Sequence, residues 1–188
     1  MIELVGVDKS YGDKPIFREL SLSFATGAHA IMGASGVGKT TLISLIAGLT
    51  TPDAGRITGI DPNTLSMVFQ EDRLIEHATV LDNVLLPVTK THTPHALKLL
   101  ARCELSQAVN EPVRALSGGM KRRVALCRAL IRPFDTLILD EPFKGLDNTT
   151  KRLAMDVVRD CTQHKTLLLV THDVTEANYL NANVIDLG

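Results

Sequence analysis

The chain has 188 residues, enough for one domain with a sizeable core and too few for two full domains. Hydrophobic residues make up 45% of the sequence and charged residues 22%, which excludes disordered and fibrous proteins. A net charge of −1 argues against nucleic-acid binding driven by bulk charge, and 4% aromatic content without tryptophan argues against a base-stacking surface. We therefore expect a globular protein with no nucleic-acid partner.

Two absences bear on where the protein works. No apolar run approaches the roughly 20 residues that span a bilayer, and no basic segment followed by an apolar one marks a signal peptide. Cys103, Cys127 and Cys161 are widely spaced and odd in number, which predicts buried or partly buried free thiols. These features predict a cytoplasmic protein.

Strand and helix patterns alternate along the chain. The first two strands alternate apolar and polar residues, as half-buried antiparallel strands do, whereas the later ones are nearly continuous apolar runs that suit a covered parallel sheet. The predicted strands are residues 2–7, 17–24, 29–32, 66–70, 136–140, 166–171 and 183–186. The predicted helices are residues 40–49, 79–86, 96–109, 117–131, 149–160 and 174–180.

This alternation is interrupted between residues 71 and 113, where the sequence shows no clear strand and is punctuated by prolines. We interpret this stretch as a helical insert within a single domain of residues 1–188. Residues 1–70 and 114–188 then form the core. The predicted fold is α/β, with a mostly parallel sheet, antiparallel strands near the N-terminus and an inserted α-helical subdomain.

A glycine-rich loop between a predicted strand and a predicted helix fits the pattern G-x-x-x-x-G-K-[ST]. Glycines let the backbone wrap closely and aim N–H groups inward, and the helix N-terminus adds its dipole. Lys39 is expected to reach the β- and γ-phosphates of ATP, and the Thr40 hydroxyl is expected to ligate Mg²⁺. The predicted ATP contacts are Gly33, Ala34, Ser35, Gly36, Val37, Gly38, Lys39, Thr40 and Thr41.

Two acidic residues stand at the end of the predicted strand at residues 136–140: Asp140 is its last residue, and Glu141 follows it. In a doubly wound sheet, a carboxylate at this end of a buried strand is expected beside the phosphate loop. Asp140 is predicted to hold Mg²⁺ through water, and Glu141 to orient or deprotonate the water that attacks the γ-phosphate. An N-terminal helix cap is the alternative role for such a pair.

A third motif, LSGGM at residues 116–120 followed by the basic run KRR, resembles the signature of ABC-type ATPases, which reads LSGGQ. Met120 stands where that family has glutamine. On residue chemistry, Ser117 is a helix N-cap, and Gly118 and Gly119 leave backbone N–H groups bare. The motif therefore predicts a second anion-binding helix start.

The resemblance to ABC ATPases covers nearly the whole chain and implies further roles. Tyr11 matches the aromatic residue that stacks on adenine, and Gln70 matches the glutamine that contacts Mg²⁺ and the attacking water. Asp147 belongs to a segment, GLD, that matches the D-loop. His172 matches the switch histidine that touches the γ-phosphate, so Glu141, His172 and Gln70 are the expected catalytic residues.

The resemblance to ABC ATPases also implies how the chains assemble. Two chains sandwich two ATP molecules, and Ser117, Gly118, Gly119 and Asp147 of one chain meet the ATP on the other. The resemblance therefore implies a homodimer or a pair with a sister ATPase subunit. It also implies integral-membrane permease subunits, docked on residues 71–113, which hold the ATPase peripherally on the inner face of the membrane.

Within the family, residues 69–74, 79–84 and 141–147 look like those of ATPase subunits from nitrate/sulfonate/taurine importers. That resemblance implies an importer of a small solute, with an extracytoplasmic solute-binding protein as a further partner.

Two other functions fit parts of the pattern. A soluble ABC ATPase outside transport, such as one in iron–sulfur cluster assembly, cell division or lipoprotein release, would keep every motif. A small-molecule kinase would use the phosphate loop but leave Ser117 and His172 without a role. Membrane proteins that co-purify with the chain would distinguish a transporter subunit from a soluble ABC ATPase. A phosphorylated product would identify a small-molecule kinase.

Overall fold

The computed structural model describes the whole chain, Met1–Gly188, and divides it into two compact units. The first unit contains Met1–Leu65, Asp135–Ile138 and His164–Gly188. The second contains Ser66–Phe134 and Leu139–Gln163.

The chain forms eight strands and six α-helices. The strands are β1 (Ile2–Tyr11), β2 (Lys14–Phe24), β3 (Gly27–Met32), β4 (Ala54–Thr58), β5 (Leu65–Val68), β6 (Thr136–Asp140), β7 (Thr166–Val170) and β8 (Asn183–Asp186). The helices are α1 (Lys39–Ile46), α2 (Val80–Leu85), α3 (Thr93–Arg102), α4 (Gly118–Leu130), α5 (Asn148–Cys161) and α6 (Val174–Tyr179).

An antiparallel sheet in the first unit has the strand order β2-β1-β4. Its inner face buries apolar side chains such as Leu4, Val7 and Phe24. The two N-terminal antiparallel strands are thereby confirmed. Strand β4 is absent from the sequence-based prediction because four of its five residues are exposed and only Ile57 is partly buried, so pairing with β1 defines it rather than apolar alternation.

The larger sheet has the strand order β5-β6-β7-β3-β8. Strand β3 pairs in parallel with β7 and with β8, and all five residues of both β6 and β7 are buried. This confirms the predicted parallel sheet built from continuous apolar strands. Residues 69 and 70, predicted to extend β5, lie beyond its end at Val68.

In the first unit, helix α1 follows β3 and buries Leu42, Ile43, Leu45 and Ile46. It ends at Ile46, three residues before the predicted end, and Gly48 has a left-handed φ of 68°. Glycine is the residue that adopts this conformation most readily at the end of a helix.

The second unit is mainly helical. Residues 71–113 contain α2, α3 and single 3₁₀ turns. The prediction of one helix over residues 96–109 is wrong: α3 starts at Thr93, with Pro94 in its first turn, where proline is favoured, and ends at Arg102. Glu104 then adopts a left-handed φ of 55°, which turns the chain into a separate 3₁₀ turn.

All three cysteines are free, with Cys103 and Cys127 buried and Cys161 partly buried, which confirms the prediction for the thiols. None of the helices combines the length and the apolar surface that a bilayer crossing requires.

Candidate functional site

The glycine-rich loop of the first unit connects β3 to α1. Gly33, Gly36 and Gly38 have φ values of 134°, 83° and 113°, a region that L side chains rarely adopt. Gly38 is the N-cap of α1 and offers no side chain to the amides of the first helical turn. Those N–H groups are therefore available to an anionic ligand.

Gly38 is also required by its neighbours on β2. A Cβ atom at this position would lie 2.7 Å from Cγ2 of Ile16 and 2.8 Å from Cζ of Phe17. The left-handed backbone and these contacts both exclude a larger residue. Packing against β2 therefore leaves room only for glycine at the N-cap of α1.

Lys39 is folded onto its own loop. Its Nζ donates hydrogen bonds to the carbonyl oxygens of Gly33, at 2.8 Å, and Ala34, at 2.9 Å, and the residue is 7% exposed. A buried ammonium group needs such acceptors. Thr40 is exposed and Thr41 half-buried in the first turn of α1. The loop thus combines one cation, bare amides and hydroxyl oxygens, the chemistry that a polyphosphate requires.

Two other predicted residues lie in the first unit. Tyr11 is the last residue of β1 and is 53% exposed, with Nζ of Lys9 5.5 Å from its ring centroid. The exposed part of the Tyr11 ring is therefore free for stacking.

His172 is exposed in the connection that follows β7. The preceding residue, Thr171, is buried; it donates a 2.5 Å hydrogen bond to Oε2 of Glu176 and accepts one from the Asp173 N–H.

The predicted acidic pair lies at the end of β6, in the second unit. Asp140 is 4% exposed. Glu141 has a left-handed φ of 47°, a conformation that is strained for a non-glycine residue. Oε2 of Glu141 accepts a 2.7 Å hydrogen bond from Nζ of the exposed Lys144. The turn after β6 thus holds the Glu141 carboxylate in a defined place.

The signature segment starts helix α4. Ser117 is the N-cap, as predicted, and its Oγ accepts a hydrogen bond from the Met120 N–H at 3.3 Å. Ser117 and Gly118 are exposed, and a Cβ atom on Gly118 would have nothing within 4 Å, whereas one on Gly119 would lie 3.3 Å from Cδ2 of Leu146. The N–H groups of Gly118 and Gly119 precede the first hydrogen bond within the helix, so this helix start can receive an anion at Gly118.

Asp147 caps helix α5. Its Oδ1 accepts hydrogen bonds from the backbone N–H groups of Thr149 and Thr150, both at 3.0 Å. The hydrogen bonds from the Thr150 side chain and backbone hold the pKa of this carboxyl below its ordinary value. The structure therefore gives Asp147 a capping role, and its contact across a dimer remains a prediction.

One cavity in the second unit, of about 250 Å³, brings several predicted residues together. It is lined by Gln70, Asp72, Gly118, Gly119, Arg122, Lys144 and Gly145. Gln70, predicted to contact Mg²⁺ and the attacking water, and the signature glycines thus line one cavity within this unit. Tyr11, the phosphate loop and His172 belong to the first unit.

Two residues of this region were not singled out from the sequence. Arg122 is 5% exposed and hydrogen-bonds to the carbonyls of Gln70, Asp140 and Glu141, although the basic run KRR is typical of a solvated turn. Lys144 contacts Glu141. No sequence signal identifies either role, because each depends on which backbone segments the fold brings together.

Comparison with known proteins decides the family. The family model described as "ABC transporter" matches residues 17–144, more than half of the chain. The chain belongs to the ABC transporter family. The matched stretch includes the phosphate loop, the signature segment and Glu141. As a member of this family, the protein is an ATP-binding and ATP-hydrolysing subunit, and the predicted ABC-type α/β fold is confirmed.

Similar ABC proteins come from several bacteria. The aliphatic sulfonates import ATP-binding protein SsuB 1 of Nocardia farcinica is 40% identical, over 99% of this chain and 77% of that protein. The protein of the same name from Rhodococcus jostii is 42% identical, over 98% of this chain and 78% of that protein. The predicted resemblance to ATPase subunits of the nitrate/sulfonate/taurine importer group is confirmed.

Solved ABC structures are similar over the full chain. The ATP-binding cassette MJ0796, in a dimeric post-hydrolysis state bound to ADP and Pi, has a TM-score of 0.88 and 28% identity, covering 99% of this chain and 94% of that one. A second dimeric structure of MJ0796, described as a bacterial ABC transporter cassette, has the same TM-score and identity. These neighbours are consistent with ATP hydrolysis and with dimer formation in this ABC protein.

Proposed function

We propose that this chain is the ATP-hydrolysing subunit of a bacterial importer for a small solute, and that aliphatic sulfonates are the first candidate class. The observation that carries the proposal is about 40% identity, over nearly the whole chain, to sulfonate import subunits. The order of motifs from Tyr11 to His172 supports the same function. The comparisons give no support to a role outside transport.

In the proposed site, residues 33–41 bind the phosphates of ATP. The resting hydrogen bonds of Lys39 to two loop carbonyls hold its ammonium group within the loop, where it exchanges these acceptors for β- and γ-phosphate oxygens. Tyr11 stacks on the base, and His172 contacts the γ-phosphate. The exposure of both side chains supports these roles.

The residues proposed to hold Mg²⁺ are Thr40, Gln70 and Asp140. Their hydroxyl, amide and carboxylate oxygens are hard donors, the chemistry that Mg²⁺ prefers, and Asp140 supplies the charge. The ion would neutralise charge that develops on the phosphates during transfer.

Hydrolysis requires a group that accepts a proton from the attacking water. The water oxygen bonds to the γ-phosphorus while the bond from that phosphorus to the ADP oxygen breaks, and the water proton moves to the Glu141 carboxylate. Gln70 and His172 orient the water and the γ-phosphate. The defined position of Glu141, contacted by Lys144 and held at a left-handed φ, supports its assignment as the base.

The proposed active form is a dimer, with itself or with a sister ATPase subunit. Ser117, Gly118, Gly119 and Asp147 of each chain meet the nucleotide bound by the other. The open space at Gly118 supports this role, because the first amides of α4 precede the hydrogen bonds of the helix and can donate to the γ-phosphate. The dimeric neighbours support the arrangement.

Permease subunits complete the proposed transporter. Residues 71–113 would dock on them, placing the ATPase peripherally on the inner face of the membrane, and an extracytoplasmic solute-binding protein would deliver the solute. A tagged chain recovered from detergent-solubilised membranes should co-purify integral-membrane proteins. Deleting the gene should abolish uptake of labelled aliphatic sulfonate. Normal uptake after deletion would exclude the sulfonate assignment, and recovery without any membrane protein would exclude the transporter.

The stacking role of Tyr11 can be tested separately. Tyr11→Ala is expected to weaken ATP and ADP binding by a similar factor, because a stacked ring touches the base and not the phosphates. Calorimetric titration with both nucleotides measures the two factors. Lys98→Ala, an exposed change on α3, is the control and should leave both affinities unchanged. A loss confined to ATP would contradict stacking.

Met120 replaces the glutamine of the family signature. Met120→Gln is expected to change ATP turnover by less than roughly tenfold, about 1.4 kcal/mol, because backbone amides and Ser117 supply most of the anion contact. Steady-state release of phosphate measures the change. A much larger gain would show that the natural residue impairs this site.

A further inference from the structure

Arg122 is a buried arginine in the first half of α4, and its side chain lies within the second unit. It is 5% exposed, and its guanidinium lies within hydrogen-bond distance of six oxygen atoms. Five of them are backbone carbonyl oxygens, and the sixth is Oδ1 of Asp72 at 2.9 Å. A single side chain thus satisfies polar groups from two separate stretches of backbone.

The two edges of the guanidinium serve different stretches. Nη1 donates to the carbonyls of Phe69, at 2.7 Å, and Gln70, at 3.1 Å. Nη2 donates to the carbonyls of Asp140 and Glu141, both at 2.6 Å, and Nε donates to that of Pro142 at 3.2 Å. The planar fork of arginine permits this arrangement, which the single ammonium of lysine cannot reproduce.

A second arginine on α4, Arg128, also binds the backbone that follows Gln70. Arg128 donates to the carbonyls of Asp72, at 2.8 Å, and Arg73, at 2.7 Å, and the Arg73 guanidinium lies 3.7 Å from the Phe69 ring centroid. Helix α4 therefore holds the whole segment from residue 69 to residue 73.

We propose that Arg122 is a positioning residue for ATP hydrolysis, which fixes Gln70 and Glu141 relative to each other and to the signature helix. The inference rests on the proposed roles of Gln70 and Glu141 at the attacking water. Both side chains must reach that water, and misplacement by about 1 Å can reduce a rate by about 10²-fold. Arg122 bonds to the carbonyl of each residue and holds the left-handed backbone at Glu141.

In the proposed dimer, Arg122 lies between groups that act on two different ATP molecules. Arg122 lies on the helix whose first turn, at Ser117, meets the ATP of the opposite chain. Its other contacts hold Glu141, which acts on the ATP bound by its own chain. Arg122 therefore joins the catalytic carboxylate of one site to the signature helix of the other.

Three variants test the proposal. Arg122→Gln removes most of the donors, and Arg122→Lys keeps the positive charge beside Asp72 but removes the fork. Arg123→Gln is the matched control, since Arg123 lies next in α4 and donates to the carbonyls of Gly119 and Cys103. Turnover of ATP, calorimetric ATP affinity and thermal unfolding are measured for each.

Both Arg122 variants are expected to lower kcat at least tenfold, while ATP affinity changes by less than threefold because residues 33–41 are intact. Arg123→Gln should show a similar loss of thermal stability with kcat within threefold of the wild type. Retained kcat in Arg122→Gln, full activity in Arg122→Lys, or an equal kcat loss in Arg123→Gln would overturn the proposal. If Arg122→Gln does not fold, Arg122→Lys decides.

A double variant separates this inference from the function on which it rests. In a Glu141→Gln background, Arg122→Gln should lower the residual single-turnover rate by a clearly smaller factor than it lowers the wild-type rate, because the part of its effect that acts through Glu141 is already lost and only the part that acts through Gln70 remains. An equal factor in both backgrounds would overturn positioning through Glu141. Wild-type hydrolysis by Glu141→Gln alone would instead show that the catalytic assignment is wrong.

Discussion

Glu141→Gln is expected to bind ATP, to hydrolyse it on the order of 10²–10⁴ times more slowly than the wild type, and to accumulate as a closed dimer. Glutamine keeps the size of glutamate and its hydrogen-bonding carbonyl, but it does not accept a proton from water. Lys39, Thr40 and the Ser117 helix start are unchanged, so ATP still joins the two chains. Removing a negative charge near the γ-phosphate strengthens this closure.

Gel filtration measures the trapped state. The Glu141→Gln protein should elute as a monomer without nucleotide and as a dimer with ATP and Mg²⁺. Ser117→Arg in the same background is the control, and it should stay monomeric because the arginine blocks the opposing phosphate. Hydrolysis at the wild-type rate would show that Glu141 is not the catalytic carboxylate. A monomer at saturating ATP would favour pairing with a sister subunit.

Lys39→Ala is expected to abolish tight nucleotide binding. Lys39 is the one cation in residues 33–41, and hydrogen bonds to charged groups each contribute about 1.5–3 kcal/mol, so we expect affinity to fall by about tenfold to more than a hundredfold. Calorimetric titration with ATP measures the loss, and thermal unfolding shows whether the fold is retained.

The control for this prediction is Lys98→Ala, which removes the same charge from the exposed surface of α3. It should leave ATP affinity within twofold of the wild type. Unchanged affinity in Lys39→Ala would refute the assignment of residues 33–41 as the phosphate site. An equal loss in both variants would attribute the effect to net charge.

Much of the fold could be predicted because its strands and helices have strong local signals. The buried strands β6 and β7 are uninterrupted apolar runs, and helix α4 begins with Ser117 as an N-cap. Elements that depend on partners could not be predicted. Strand β4 has an exposed sequence and exists through its ladder with β1. Helix α3 ends in a left-handed turn at Glu104, closed by backbone hydrogen bonds from Glu104 to Ala101 and from Leu105 to Leu100, without the glycine that usually marks such an end.

The residues of the candidate site also differ in whether the sequence predicts them. The phosphate loop is predictable, because closely spaced glycines and one lysine between a strand and a helix form a pattern that is specific for phosphate binding. The signature segment is predictable as a capped helix start with bare amides. The role of Arg122 is not, because its partners are mainly carbonyl oxygens, and every residue carries one. The carbonyl groups that need a side-chain donor can be identified only from the folded backbone.

Lys39 also ties the glycine-rich loop to the helix that follows it. Lys39 is the first residue of α1, and its ammonium group donates hydrogen bonds to the carbonyls of Gly33 and Ala34 at the start of the loop. These bonds close the two ends of the loop on each other through one side chain. A loop that is held in this way loses little conformational entropy when it binds a ligand, so more of the interaction energy contributes to affinity.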